Sequence, residues 1–253
     1  MSDLHARLSS EGILYYDELP STNHQLRQLM HEHPLDEMTV VVAGFQQAGR
    51  GQAGNSWESE RGKNLLMSLL LYPQFVEIMQ QFGISAVVSL AVVDALKGFG
   101  IGNVKVKWPN DIYIDDRKVA GILIEHSIMG PVLSDSIVGI GLNVNQTQFL
   151  SDAPNPVSMC QVTGNEFSLT GVFEKLMDCM VNRYQQLMDD GELGLMTEYC
   201  SAMWRADGQL HSFKDDTGCF DAKIDGVDEI GRLRLMTASG EEKVFGFKEV
   251  TYL

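Results

Sequence analysis

The sequence predicts an α+β fold in two parts: strands interspersed with helices over residues 1–203, and a small all-β unit over residues 204–253. Three observations predict it. Apolar runs of strand length follow one another through turns and loops. Segments with helical spacing of apolar residues separate some of them. After Trp204 the pattern shifts to short alternating strands divided by Asp-Asp-Thr-Gly, Asp-Glu-Ile-Gly and Ala-Ser-Gly-Glu turns.

In chain order, residues 12–17 read as a first strand, and Ser21 to about Glu32 as a helix with Ser21 as N-cap and Leu26, Leu29 and Met30 on one face. Met38 to Ala43 and Asn64 to Leu71 read as buried strands, so the polar, glycine-rich segment between them joins strand to strand. Phe82 to Phe99 is apolar on most sides, which predicts a buried helix ending at Gly98 and Gly100. Val104 to Val106 and Ile112 to Ile114 are short strands around a bend, and Asp115-Asp116-Arg117 is a hairpin turn into the strand Lys118 to Glu125. Gln146 to Gly164 shows no clear periodicity and reads as a long loop, of the kind that is functional or disordered. Thr170 to Asp189 is a further helix, apolar at Val172, Phe173, Leu176, Met180 and Leu187. Four short strands follow, Gln209 to Phe213, Gly218 to Ile224, Leu233 to Met236 and Lys243 to Phe247, and suggest a small barrel.

Two strings carry chemistry. In the first, Gln46-Gln47-Ala48-Gly49-Arg50-Gly51-Gln52-Ala53-Gly54-Asn55-Ser56-Trp57, glycines 49, 51 and 54 free the backbone to approach a ligand and to aim N–H groups at phosphate oxygens. Arg50 adds an always-charged planar fork suited to phosphate or carboxylate. The Walker A and Rossmann glycine patterns both open a helix, and this loop does not. Taken alone, such a loop could equally be only a mobile connection. In the second string, Lys107-Trp108-Pro109-Asn110-Asp111, Pro109 fixes φ and biases Trp108 to an extended conformation, which holds Asn110 and Asp111 at a defined bend. Lys118 is a lone cation beside the apolar Val119-Ala120-Gly121-Ile122-Leu123. It is either a solvated edge-strand lysine or an inward cation for an anionic ligand.

Together with Ser21-Thr22-Asn23 and Gly139-Ile140-Gly141-Leu142-Asn143-Val144-Asn145, these strings resemble the biotin protein ligases, with the blocks in family order over residues 21–145. The resemblance implies a catalytic domain of the class II aminoacyl-tRNA synthetase and biotinyl ligase type over 1–203, a mixed β-sheet with helices packed on it, and an SH3-like barrel over 204–253. It implies attachment of biotin to a lysine on the biotin carboxyl carrier domain of a carboxylase, through biotinyl-5′-adenylate, with ATP and Mg²⁺ as the other requirements. Lys118 and Arg50 would be catalytic. Ser21, Thr22, Asn23, Gln46, Gly49, Arg50, Gly51, Lys118 and Gly121 would bind biotin, and Gln52, Asn55, Trp57, Asn110, Asp111 and Asn143 the nucleotide. No protein metal ligand is assigned; Mg²⁺ would arrive with ATP. The segment Gln146 to Gly164 would cover the adenylate. Gln52, Ala53 and Asn55 are neutral where many family members are basic, so fewer positive charges would face the intermediate. The barrel is either an inert cap or an aid to ATP or acceptor binding.

Two other readings belong beside this one. Lipoate–protein ligases share the fold and the adenylation chemistry but do not usually join Gly-Arg-Gly to Lys-Trp-Pro-Asn-Asp. A biotin-sensing protein without turnover would have no need of Asn110 and Asp111.

Composition narrows the partners. The 253 residues carry a formal charge of −15 at pH 7, with 34 acidic against 19 basic side chains, a surface that repels nucleic acid. About twenty residues precede the Ser21 motif, too few for a three-helix DNA reader. No run of about eighteen apolar residues suggests a membrane span, and Met1 to Arg7 lacks the features of a signal peptide, so a cytoplasmic protein is expected. Cys160, Cys179, Cys200 and Cys219 are widely spaced, which argues against a zinc site or a disulfide framework. His31 and His33 are too close in a polar stretch to build a ligand set. A homodimer is left open.

Overall fold

A computed structural model describes residues 12–151 and 154–253; the reading of Met1 to Arg7 falls outside them. Strands β1 (Ile13–Tyr16), β2 (Val40–Ala43), β3 (Leu65–Leu71), β4 (Val104–Lys107), β5 (Asp111–Ile114), β6 (Arg117–Met129) and β7 (Val132–Leu142) form one sheet in the order β1-β2-β3-β7-β6-β5-β4. Its β1–β2 pair is parallel and the other pairs are antiparallel. The sheet is therefore mixed, as the resemblance to the biotin protein ligases implies.

Strand periodicity sends alternate residues to opposite faces. In β2 and β3, Val41 and Leu70 join Leu26 of helix α1 (Thr22–Glu32) in a small cluster with Ile137. Val40, Leu69 and Leu71 face the main core, with α2 (Phe82–Gly98), α4 (Leu169–Asp190) and α5 (Glu192–Ala202). All seven residues of β3 are buried because both faces are covered, which explains its unbroken apolar run. Helix α2 is buried along most of its length and packs against α4 and α5. The stretch Ile78–Gly98 reaches the length and mean hydropathy of a membrane span, although Gln80, Gln81, Asp94 and Lys97 interrupt it, and 61% of its most apolar window is buried in the fold. It is the core helix of the sheet.

The remaining strands, β8 (His211–Asp215), β9 (Gly218–Val227), β10 (Leu233–Thr237), β11 (Glu242–Phe245) and β12 (Thr251–Tyr252), make a five-stranded antiparallel sheet in the order β11-β10-β9-β8-β12. Hydrogen bonds tie it to the larger sheet. The Trp108 indole N–H donates to the Gly231 carbonyl at 2.8 Å, the Trp204 indole N–H to Asp116 at 3.0 Å, and the Trp204 backbone N–H to the Val106 carbonyl at 2.8 Å. Replacing Trp108 with Phe keeps the ring and strands a buried carbonyl. Unfolding free energy should fall by about 1–3 kcal/mol, read by urea melts; an unchanged midpoint would show that this contact does not hold the sheets together.

Two expectations need correction. Gln146 to Gly164 is not a featureless loop. It contains α3 (Met159–Thr163), opened by a capping box in which Ser158 and Gln161 satisfy each other's backbone N–H groups. Before the helix, Pro156 bridges in parallel to Lys118, through Lys118 N–H to the Asn155 carbonyl and Val157 N–H to the Lys118 carbonyl. The Ser-x-x-Gln signature was present in the sequence, but the prolines concealed it. The second correction is α5, which the sequence reading left without an element because Glu192–Ala202 has little amphipathic contrast.

Candidate active site

Glycines on adjacent strands open the site. Gly121 of β6 pairs with Gly141 of β7, and Gly139 pairs with Leu123. A Cβ on Gly141 would lie 2.5 Å from the Trp57 ring, one on Gly121 2.8 Å from it, and one on Gly139 2.3 Å from Asn23 Oδ1. Those missing side chains let the indole and the start of α1 lie directly on the sheet. The resulting cavity is about 520 Å³.

At one end stand uncharged polar groups. Asn23 donates to the Leu123 carbonyl at 3.3 Å and to Glu125 at 3.2 Å. Ser68 Oγ lies 2.7 Å from Thr22 Oγ1 and 2.6 Å from Asn23 Oδ1. Ser68 was not anticipated, although it is the single hydroxyl in the run Leu65–Leu71. Ser21 starts the helix but makes no side-chain cap; the Thr22 N–H instead donates to Gln46 Oε1 at 2.7 Å. The Ser21 hydroxyl is thus not spent on the helix. Ser21→Ala should cost less than about 0.5 kcal/mol of stability, against about 1 for a working cap. Gln46→Leu should cost about 1–3 kcal/mol by orphaning a buried N–H. Thermal melts of the two variants check this; equal losses would restore Ser21 as the cap.

The glycine-rich loop folds on itself. Gly51 N–H donates to the Asn55 carbonyl and Trp57 N–H to the Gly49 carbonyl, with a 3₁₀ turn at Gln52–Gly54 where Gly54 takes φ +91°. A left-handed residue there favours glycine. Past Trp57, Glu58 accepts the N–H groups of Leu150 and Ser151, each at 2.7 Å, and so links this loop to the segment after β7.

The other end is charged. Lys118 Nζ lies 2.7 Å from Asp111 Oδ1 and 5.5 Å from the centroid of the Trp57 ring. Lys118 pairs with Tyr113 of β5 on one side and bridges to Pro156 on the other, so it is not an edge-strand lysine. Asn110 donates its side-chain N–H to the Ile122 carbonyl at 2.6 Å, which fastens β5 to β6. Lys107 sits beside Tyr113, and burial, the largest influence, pushes its pKa down. Phe247, Lys248, Val250, Thr251 and Tyr252 complete this wall from the C-terminal sheet.

Of the residues singled out from sequence, Ser21, Thr22, Asn23, Gln46, Arg50, Gly51, Gln52, Asn55, Trp57, Asn110, Asp111, Lys118 and Gly121 line this one cavity. Gly49 and Asn143 do not. A Cβ on Gly49 would lie 2.7 Å from the Trp57 carbonyl, so this glycine shapes the loop. Asn143 is buried, donates to the Val157 carbonyl at 3.1 Å and accepts Met159 N–H, which anchors the segment running past Lys118. The C-terminal wall and Lys107 were missed as site residues; short barrel strands carry no local signal of what they face. Among the described residues no cluster of three or more His, Cys, Asp or Glu side chains could hold a metal ion. A second cavity of about 600 Å³, under Tyr15, Val42 and Phe173, is lined by no lysine or arginine.

The mixed sheet thus presents a glycine floor with an uncharged polar end and an end that carries cations, an arrangement able to hold a small ligand with one anionic end. Residues 15–143 match the model of the biotin/lipoate A/B protein ligase family. The chain is 30% identical over 217 residues to the biotin–[acetyl-CoA-carboxylase] ligase of Paracoccus denitrificans, covering 81% of this chain and 86% of that one. It is 29% identical over 247 residues to the bifunctional ligase/repressor BirA of Bacillus subtilis, covering 96% of this chain and 74% of that one. The solved biotin protein ligase from Aquifex aeolicus in complex with biotin and ATP superposes with a TM-score of 0.78 at 26% identity, covering 94% of this chain and 97% of that one. The chain belongs to the biotin/lipoate A/B protein ligase family, among its biotin protein ligases.

Proposed function

We propose that this protein attaches biotin to a lysine of the biotin carboxyl carrier domain of a carboxylase, through biotinyl-5′-adenylate. The observation that carries the reading is a single cavity, polar and neutral at one end and cationic at the other. Ser21, Thr22, Asn23 and Gln46 suit the neutral ring of biotin. Its carboxylate would then point toward Arg50 and Lys118.

In the first step a carboxylate oxygen attacks the α-phosphorus of ATP, and the bond to pyrophosphate breaks. Two anions must meet, so fixed positive charge is required where charge accumulates. Lys118 and Arg50 supply it. Asp111, the one acidic side chain in the wall, keeps Lys118 in place until substrate arrives. Asp111 would be the residue to meet a Mg²⁺ ion brought with the triphosphate, which would supply charge neutralisation there. In the second step the acceptor ε-amine attacks the acyl carbon and AMP departs with the P–O–C oxygen. The Trp57 indole and the segment joined through Glu58 shield the anhydride from water. Gln52, Asn55, Trp57, Asn110 and Asp111 would frame the nucleotide, and Asn143 would act from behind the wall. Residues 1–203 would form the catalytic domain and 204–253 the barrel that closes it.

All four cysteines are free thiols, in keeping with action in the cytoplasm. Incubation with biotin, MgATP and a carrier domain, followed by intact mass, tests the reading. One biotinyl group should appear on the carrier. Transfer of lipoate instead, or biotin binding without pyrophosphate release, would overturn it.

A further inference from the structure

Lys107 occupies an unusual setting. Its ammonium donates to Tyr113 Oη at 3.0 Å and lies 5.0, 5.2 and 5.3 Å from the ring centroids of Tyr113, Trp204 and Tyr252. Among the described residues it has no carboxylate within ion-pairing distance; nearby Asp111 is engaged by Lys118. Burial weakens the hold on its proton, Lys118 and Arg205 act in the same direction, and Asp111 opposes them. A carboxylate partner would have cancelled this charge. Three aromatic faces instead fix its position and leave it net positive. Such a charge, half removed from water and unneutralised, is stabilised by an incoming anion. Tyr252, in the same wall, has a buried hydroxyl without a hydrogen-bond partner among the described residues.

We propose that Lys107 binds the leaving diphosphate end of the nucleoside triphosphate, held for that purpose in an aromatic cage to which the C-terminal sheet contributes Tyr252. This rests on the adenylation reading above. Lys118 and Arg50 then serve the reacting carboxylate and α-phosphate, while Lys107 serves the group that departs, with the Tyr252 hydroxyl as a second donor.

The test is calorimetry of the whole chain with MgATP, inorganic pyrophosphate, AMP and biotin, each in separate titrations. Lys107→Met should weaken ATP and pyrophosphate about tenfold or more, the size of one lost charge-assisted hydrogen bond, and leave AMP and biotin within about twofold. Lys107→Arg should recover most of the ATP-over-AMP preference, and KM for ATP should move more than kcat. Should Lys107→Met fail to fold, Lys107→Gln and Lys107→Arg pose the same comparison. Equal weakening of ATP and AMP would mean that the cage is only packing, and unchanged ATP affinity would overturn the proposal outright. Failure of the unmodified protein to release pyrophosphate from biotin and MgATP sinks the ligase reading itself; normal turnover with an unaltered ATP preference in the variants sinks this inference alone.

Discussion

Lys118→Ala should slow adenylate formation by about a hundred- to a thousandfold, or about 2.7–4 kcal/mol in barrier, the usual cost of one preorganised donor at a centre where charge builds up. The fold should survive, since the side chain is partly exposed and its backbone bonds to Asn155 and Val157 do not involve the ammonium. Loss of the cation has a second effect. Asp111, 2.7 Å away in the parent protein, becomes an uncompensated negative charge facing a triphosphate. Lys118→Ala with Asp111→Asn should therefore regain part of the ATP affinity but little of the rate. Single-turnover pyrophosphate release, with circular dichroism as the check on folding, reads both. A rate within about twofold of the parent would exclude Lys118 from the chemistry.

Gly141→Ala should reduce adenylation efficiency by about five- to a hundredfold while the protein still folds. The added methyl would sit 2.5 Å from the Trp57 ring, closer than any real contact, so the indole must leave the sheet. Overpacking of this kind costs about 1–3 kcal/mol, and here the element able to yield is the glycine-rich loop. Strand β7 keeps its ladder. Trp57 emission should shift to longer wavelength as the ring meets water. Gly102→Ala is the control, because nothing lies within 4 Å of the added atom there. Loss of activity in both variants, or in neither, would remove the role given to the glycine floor.

Most of this architecture could be read from the chain because the informative segments are local. Leu65–Leu71 is apolar throughout since helices cover both faces of β3, and the two strings of polar residues fall where strands end. Much of the cavity lining was legible for the same reason: Ser21 to Asn23, the Arg50 to Trp57 loop and Asp111 to Gly121 are short motifs. Asn143 lies outside the cavity lining, because a motif gives the position of a residue along a strand and not the face it serves after the strand ends. It turned inward to hold Val157 and Met159. Lys107 was quoted within its motif yet given no task, because its setting depends on Trp204 and Tyr252, about a hundred residues or more away. Contacts of that range have no periodicity to betray them.

The docking of the two sheets also orders events during synthesis. Ser21 to Gly141 emerge from the ribosome well before Tyr252, and the indole of Trp108 finds its carbonyl partner only when Gly231 has been made. A growing chain would thus make Arg50, Lys107 and Lys118 together with the neutral pocket, and the part of the wall that Tyr252 supplies last. Under the ligase reading, the biotin end and the charges that act on the carboxylate would be present before the wall at the leaving diphosphate closes, so full ATP affinity would arrive only with the C-terminal strand. The seam between the sheets is thus the last part of the site to be built, and it is set by Trp108 meeting Gly231.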